Sequence, residues 1–466
     1  MNIDKHAFTW HRAIVAIAGA LFGLTSCGGG GYGGGSGNTM PTVSFSSPAS
    51  AMTINLGQSV NLMWSSSYAS SCTASTSSMS AGAFSGAQNT SGSMNVAPTA
   101  VGTVSYMLTC NGSGGSASAT SATVTVNPSI LSTLKTITTI GSTLDPIENG
   151  GNPYGLGIAP ITSGLMTAGD LIVCNFNDGA TNTGGLGTTV IGLHPVAGAT
   201  PYRIAQSAQL RGCGGLSVFP DDSIAVTAFS SGLVPLVTPN GVVNNPFGAY
   251  AFHGPWGQTY VTPHNGQPVL YVSNQLNGTI DRIMLNGDAP AGFTEIAAGF
   301  CGSGTPGSVF APAGLTYDAS IDTLYIVDTS SYSVVAFANV SAIGADGIVV
   351  NGNCGAVTPT PVPTFSGPAG SSARVIASGG QFNAPLSAAL LMDGDLVVSN
   401  ADINSPATTN LLFEISPYIG FVGAPLQLDS GAAGALFGLA AAKDGNGNQI
   451  IYFNDDNDNT VKVLSK

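Results

Sequence analysis

The sequence predicts an all-β protein: a small β-sandwich followed by a six-bladed β-propeller. Three observations lead there. Only 7% of the 466 residues are charged while 43% are hydrophobic. The apolar residues fall in short β-branched runs separated by Gly, Ser, Thr and Asn, which is the pattern of strands joined by tight turns. From about residue 131 onward the chain repeats one unit six times, and such repetition marks a fold built from copies of a single supersecondary element.

The N-terminal segment reads as an address. MNIDKHAFTWHR is weakly basic, and residues 13–24 form an apolar run that suits a signal peptide and is too short to span a bilayer. Leu24-Thr25-Ser26-Cys27 resembles the lipobox of bacterial lipoproteins, whose cysteine is acylated and becomes the first mature residue. The resemblance implies a signal peptide over 1–26 and lipidation of Cys27. With Gly rather than Asp at position 28, it also implies an outer-membrane lipoprotein of the bacterial cell envelope. The glycine-rich stretch 28–38 follows; it is a flexible coil, and residues 27–40 are read as lipid anchor and tether. More than one acyl chain is needed for stable membrane attachment.

Removing Asp4, Lys5 and Arg12 with the leader shifts the net charge from −13 to −14. Nucleic acid is thereby excluded as a partner, because it requires clustered Lys and Arg. The negative charge serves solubility, and a monomer is expected.

Residues 41–127 contain the strand-like runs PTVSF, SVNLMWSS, SCTAS, VSYMLTC and SATVTV, spaced as in a β-sandwich. The stretch Trp64-Ser65-Ser66, then Cys72, then Tyr106-x-Leu108-Thr109-Cys110 resembles bacterial Ig-like domains. An extracytoplasmic location permits disulfides, so Cys72 is paired with Cys110. The segment contains no Asp, Glu, Lys, Arg or His. Acid–base catalysis is therefore closed to it, and it is read as a spacer.

The six repeats begin NPYGLGIAP, GCGGLSVFP, GPWGQTYVTP, APAGLTYD, APLSAALLMDG and ALFGLAAAKDG. Gly155, Gly215, Gly257, Gly314, Ser387 and Gly438 align. Each is followed by an apolar run (LIVCN, IAVTA, LYVSN, LYIVD, LVVSN, IIYFN) and then by a third run. A small antiparallel sheet of this kind cannot bury both faces alone, whereas radial packing against its neighbours does. Small residues at the start of the first strand let backbones crowd where blades converge. The sixth unit has only three runs, so the strand-like segment 131–140 is expected to supply its fourth. The recurring P-x-G-φ and φ-Y-V-x-N/D patterns resemble NHL-repeat propellers over residues 130–466. A seven-bladed ring is the alternative if the insert from Val340 to Ser372 holds a degenerate unit.

Ligands of propellers gather at the mouth of the central channel. The first-strand ring there comprises Tyr154, Gly214, Trp256, Ala313, Leu386 and Phe437. The second-strand ring comprises Asn175, Ala228, Asn274, Asp328, Asn400 and Asn454. Tyr154, Trp256 and Phe437 either form an aromatic platform for a sugar-like ligand or plug the channel, and His253 is placed at the same mouth. Gluconolactonase-like propellers hold a divalent metal in the channel through Glu, Asn and Asp. Here the ring offers one acid, Asp328, and the three glutamates Glu148, Glu295 and Glu414 fall on neither ring. A hard cation needs more carboxylate charge than that. No metal site, cofactor or catalytic residue is therefore assigned. The acidic turn 454–459 lacks the spacing of a calcium loop.

Cys174 closes a second strand and Cys213 opens the next blade, so the two are paired, leaving Cys301 with Cys354. Four cysteines allow three connectivities. The sequence thus predicts an anchored propeller that binds protein, peptide or glycan. A divalent-metal-assisted hydrolase of small esters or lactones is the alternative.

Overall fold

A computed structural model describes residues 38–466 except 79–81, 83, 264–265, 304–309, 353, 355–358, 381 and 401–408. The leader, the Cys27 anchor and most of the tether lie outside the described residues.

Each sequence repeat is one antiparallel sheet, and the described residues hold six such sheets. Blade one comprises Pro153–Ile158, Leu171–Asn177, Gly184–Leu193 and Tyr202–Gln206. Blade two comprises Cys213–Val218, Ile224–Ala228, Leu236–Val237 and Val243–Asn244. Blade three comprises Pro255–Val261, Val269–Asn274, Thr279–Asn286 and Ala289–Ala298. Blade four comprises Pro312–Asp318, Thr323–Asp328, Ser333–Ala338 and Ala373–Ser378. Blade five comprises Pro385–Leu390, Leu396–Asn400, Asn410–Ser416 and Gly420–Asp429. The first strands pack side by side in cyclic order, with blade six against blade one. This is the β-propeller arrangement. The second strands are buried along almost their whole length, which is why they read as unbroken apolar runs rather than alternating ones.

The repeated glycine has a steric cause. In every blade the pairing of first and second strands slips near the start of the first strand. At that point the strand touches the backbone of the next blade. A Cβ on Gly257 would sit 2.0 Å from the Ala313 carbonyl oxygen, and one on Gly155 would sit 2.6 Å from that of Gly214. Only glycine allows such an approach.

Hydrogen bonds follow the same path around the ring. A polar side chain at or just past the end of a second strand reaches a first-strand carbonyl of the next blade. Thr227 bonds to Trp256 O, Ser273 to Ala313 O at 2.8 Å, Thr329 to Pro385 O at 2.6 Å and Ser399 to Phe437 O at 3.3 Å. Asn454 Nδ2 reaches Tyr154 O at 3.2 Å, crossing the seam between blades six and one. Carbonyls that face another blade edge-on would otherwise be buried without partners.

Blade six contains Leu436–Lys443, Gln449–Asp455 and Thr460–Ser465. Its outer strand is Thr136–Ser142, paired antiparallel from Thr136 opposite Ser465 to Ser142 opposite Thr460. The strand begins later than the apolar pattern of 131–140 indicates. Ile130–Thr133 forms one helical turn instead, because Ile130, Leu131 and Leu134 are drawn into the hydrophobic cluster between blades five and six. Within the insert, Ile348–Asn351 and Thr364–Ser366 form a hairpin that extends the outer edge of blade three. The described part of the insert makes no sheet of its own.

The N-terminal domain has sheets of three, three and four strands closed around Leu62, Trp64, Phe84, Tyr106 and Leu108. Phe84 meets Trp64 and Tyr106 edge-on at 5.4 and 5.9 Å. Three disulfides are present among the described residues. Cys72–Cys110 joins directly opposite residues of neighbouring strands in one sheet. Cys174–Cys213 staples blade one to blade two, and Cys301–Cys354 ties the insert to the loop leaving blade three.

Candidate functional site

All six first strands line a central channel of about 470 Å³. Its floor lies where those strands begin. Tyr154, Trp256 and Phe437 meet there: the Tyr154 ring is 4.5 Å from Trp256 and 4.8 Å from Phe437. Phe176 and Phe229 close around Trp256 at 5.3 and 5.4 Å. Trp256 is 1% exposed and Tyr154 8%, so the aromatic residues fill this end of the channel. Toward the far end the lining side chains, among them Ile158, Val218, Tyr260, Thr316 and Leu390, become partly exposed, and the channel opens there.

The structure places the other candidate residues elsewhere. Asn175, Asn274, Asp328, Asn400 and Asn454 do not line the channel; all are buried and engaged in turns or seams. Asn175 Nδ2 donates to Thr143 O and Thr189 Oγ1. Asn274 donates to Thr279 and to Asp281 and accepts the His253 amide. Asp328 accepts from the Ser330 amide and the Ser331 hydroxyl, and Asn400 accepts from the Asn383 amide. These side chains do what short polar side chains do at strand ends, satisfying local backbone groups. His253 is exposed on the approach to blade three. Burial pushes the Asp328 carboxyl up to about 6, and no other acid among the described residues contributes to that shift.

The described lining of the channel is uncharged: none of the described residues lining it is Asp, Glu, His, Lys, Arg or Cys. Its polar groups are Ser, Thr, Tyr, Trp and Gln side chains with exposed strand backbone. Gln258 is anchored by its amide nitrogen, which donates to Gly215 O at 3.1 Å and Ala225 O at 2.8 Å. Its Oε1 is buried with no hydrogen-bond partner among the described residues, and the Tyr154 hydroxyl and Trp256 indole N–H are buried within reach of each other. Burial holds the Tyr154 hydroxyl far above its ordinary pKa, so it remains neutral. The site thus sets neutral polar groups beside aromatic surface.

Sequence reasoning found Tyr154, Trp256 and Phe437 but not Phe176, Phe229 or Gln258. A signal for the two phenylalanines exists: each directly follows the apolar run of its repeat, in Cys174-Asn175-Phe176 and Thr227-Ala228-Phe229. Gln258 stands as a polar residue inside an inner strand, directly after the repeat glycine.

No protein-family model matches the chain, and no curated protein matches its sequence. Among solved structures it is similar to a nutrient-binding protein from Bacteroides ovatus, at 11% identity and a TM-score of 0.44, covering 88% of this chain and 95% of that one. It is also similar to a catalytically inactive virginiamycin B lyase from Staphylococcus aureus solved with quinupristin, at 12% identity and 0.39, covering 69% and 97%. A third is a calcium-binding protein, regucalcin, from Agrobacterium tumefaciens, at 13% identity and 0.40, covering 70% and 93%.

Proposed function

We propose that the chain is a cell-envelope lipoprotein whose propeller takes up an uncharged polar ligand, a glycan segment or a neutral peptide, in its central channel. One observation carries the reading: the described residues of the channel lining include no Asp, Glu, His, Lys or Arg and set neutral Tyr, Trp, Gln, Ser and Thr groups beside aromatic rings. Ligand hydroxyls and amides pair with such groups, and a buried polar atom left unpaired costs about 1–3 kcal/mol. Such sites combine an apolar wall with a few convergent polar groups. The Ig-like reading of the N-terminal domain and the lipid at Cys27 complete the proposal as spacer and anchor. Mass spectrometry of the mature N-terminus tests the anchor directly, and an unmodified Cys27 refutes it.

The hydrolase alternative finds less support. Acid–base catalysis and metal-assisted hydrolysis need ionisable side chains at the reacting centre, and the described residues of the channel lining offer none apart from tyrosine. The deciding experiment titrates the full chain with panels of neutral oligosaccharides, neutral peptides and anionic sugars, following tryptophan fluorescence. Saturable quenching by a neutral ligand, weakened about tenfold by Gln258→Ala, is expected. Response to anionic ligands alone, or turnover of a lactone panel, overturns the reading.

A further inference from the structure

A second cluster begins in the turn between the first and second strands of blade five, where the N-terminal sandwich meets that blade. Asp393, Asp395 and Glu414 each bring a carboxylate oxygen within 4.8 Å of the others. Asp395 and Glu414 are each 1% exposed, and none of the ion pairs among the described residues involves the three.

Three parts of the chain close over them. The turn after sandwich strand Met52–Asn55 supplies Asn55 Nδ2, which donates to Asp393 Oδ2 at 3.0 Å, and Gln58 Nε2, which donates to Asp393 O at 3.0 Å. Between them Gly57 accepts the Ser416 hydroxyl through its carbonyl. Gly57 packs so tightly that a Cβ on it would lie 2.1 Å from Asp395 Oδ2. The linker supplies the amides of Ile130 and Leu131, which donate to Glu414 at 3.2 and 2.6 Å.

Asp393 and Glu414 are held by these bonds, and Ser416 lies within hydrogen-bond reach of Asp395, but Asp395 Oδ2 is buried with no hydrogen-bond partner among the described residues. Three carboxylates in so dry a place need compensating charge. We propose that they bind one divalent cation of the calcium class, which locks the uncharged sandwich onto the propeller. Two oxygens on opposite sides of a calcium ion at about 2.4 Å lie about 4.8 Å apart, which the observed spacing accommodates. Backbone carbonyls and the second oxygens of the carboxylates are the kinds of donor that would complete such a shell.

The test uses the full chain, stripped with EDTA and titrated calorimetrically with calcium chloride at pH 8, with magnesium chloride as comparison. One-to-one calcium binding is expected, at least tenfold weaker in Asp395→Asn and Glu414→Gln but unchanged in Asp328→Asn. Absence of binding at millimolar calcium, or binding indifferent to both substitutions, overturns the proposal.

Discussion

Replacing Trp256 by alanine asks whether the aromatic floor is structural. The side chain is 1% exposed and touches three other aromatic rings within 5.4 Å. Burying 150–250 Å² of aromatic surface at about 25 cal/mol per Å² is worth roughly 4–6 kcal/mol. Large-to-small substitutions of buried aromatics cost about 3–5 kcal/mol. Both routes give about 4 kcal/mol. At about 2.1 cal/mol/K of unfolding entropy per residue, a propeller of this length loses about 0.7 kcal/mol of stability per degree near Tm, so the change lowers Tm by about 6 °C. Scanning calorimetry of the disulfide-intact chain reads this, with Trp256→Phe losing a smaller part. A shift below about 1 °C would refute the reasoning. It would mean that the rings do not fill the channel end and stand free as a platform.

Four further outcomes are expected. Gly257→Ala forces a Cβ against the Ala313 carbonyl and should destabilise by several kcal/mol, read as a fall in Tm while the analogous change at the open turn glycine Gly445 leaves Tm unchanged. Removing the Cys174–Cys213 bridge, whose partners are 39 residues apart, should cost about 4 kcal/mol on the chain-entropy model, read by urea unfolding of the double serine variant. Asp145 is fully buried against Arg203. Burial raises its carboxyl, but bonds from Arg203 and the Glu148 and Ile147 amides outweigh that and hold it below its usual value. Its contribution is therefore present above the ordinary carboxylate range and lost as pH falls through the lowered value. Arg203→Gln should cost about 3 kcal/mol near neutrality and less in acid. Asp281 is pushed up to about 7, chiefly by burial, so its stabilisation is complete below about pH 4 and lost as pH rises through 7. In EDTA the unaltered chain should lose stability over that window, and Asp281→Asn should flatten the slope. No difference between the two pH profiles would contradict the assignment.

The ring was legible because crowding at its axis leaves a mark that one sequence carries six times. Gly155, Gly215, Gly257, Gly314, Ser387 and Gly438 are small for a reason any propeller shares, and the buried second strands must be apolar throughout. The paired cysteines were legible from the same frame, since Cys174 and Cys213 fall on adjoining strands once blades are drawn. The channel was harder to read. Asn274 and Asp328 sit at strand ends, but whether such a side chain turns toward the axis or back into its own turn depends on local twist and on partners such as Asp281 and Ser331. The repeat pattern contains neither. The carboxylate group at blade five was beyond reach for another reason. Asp393 meets Asn55 across 338 positions of sequence, and nothing local in either segment points at the other.

The pairing of Thr136–Ser142 with Thr460–Ser465 sets a schedule for biogenesis. The earlier strand is synthesised more than three hundred residues before its mate, and until both are present one wall of the toroid has an unclosed edge. A nascent polypeptide can thus make five sheets and still be unable to seal the circle. A truncation of only the final few residues should leave a molecule prone to joining its open edge to another copy.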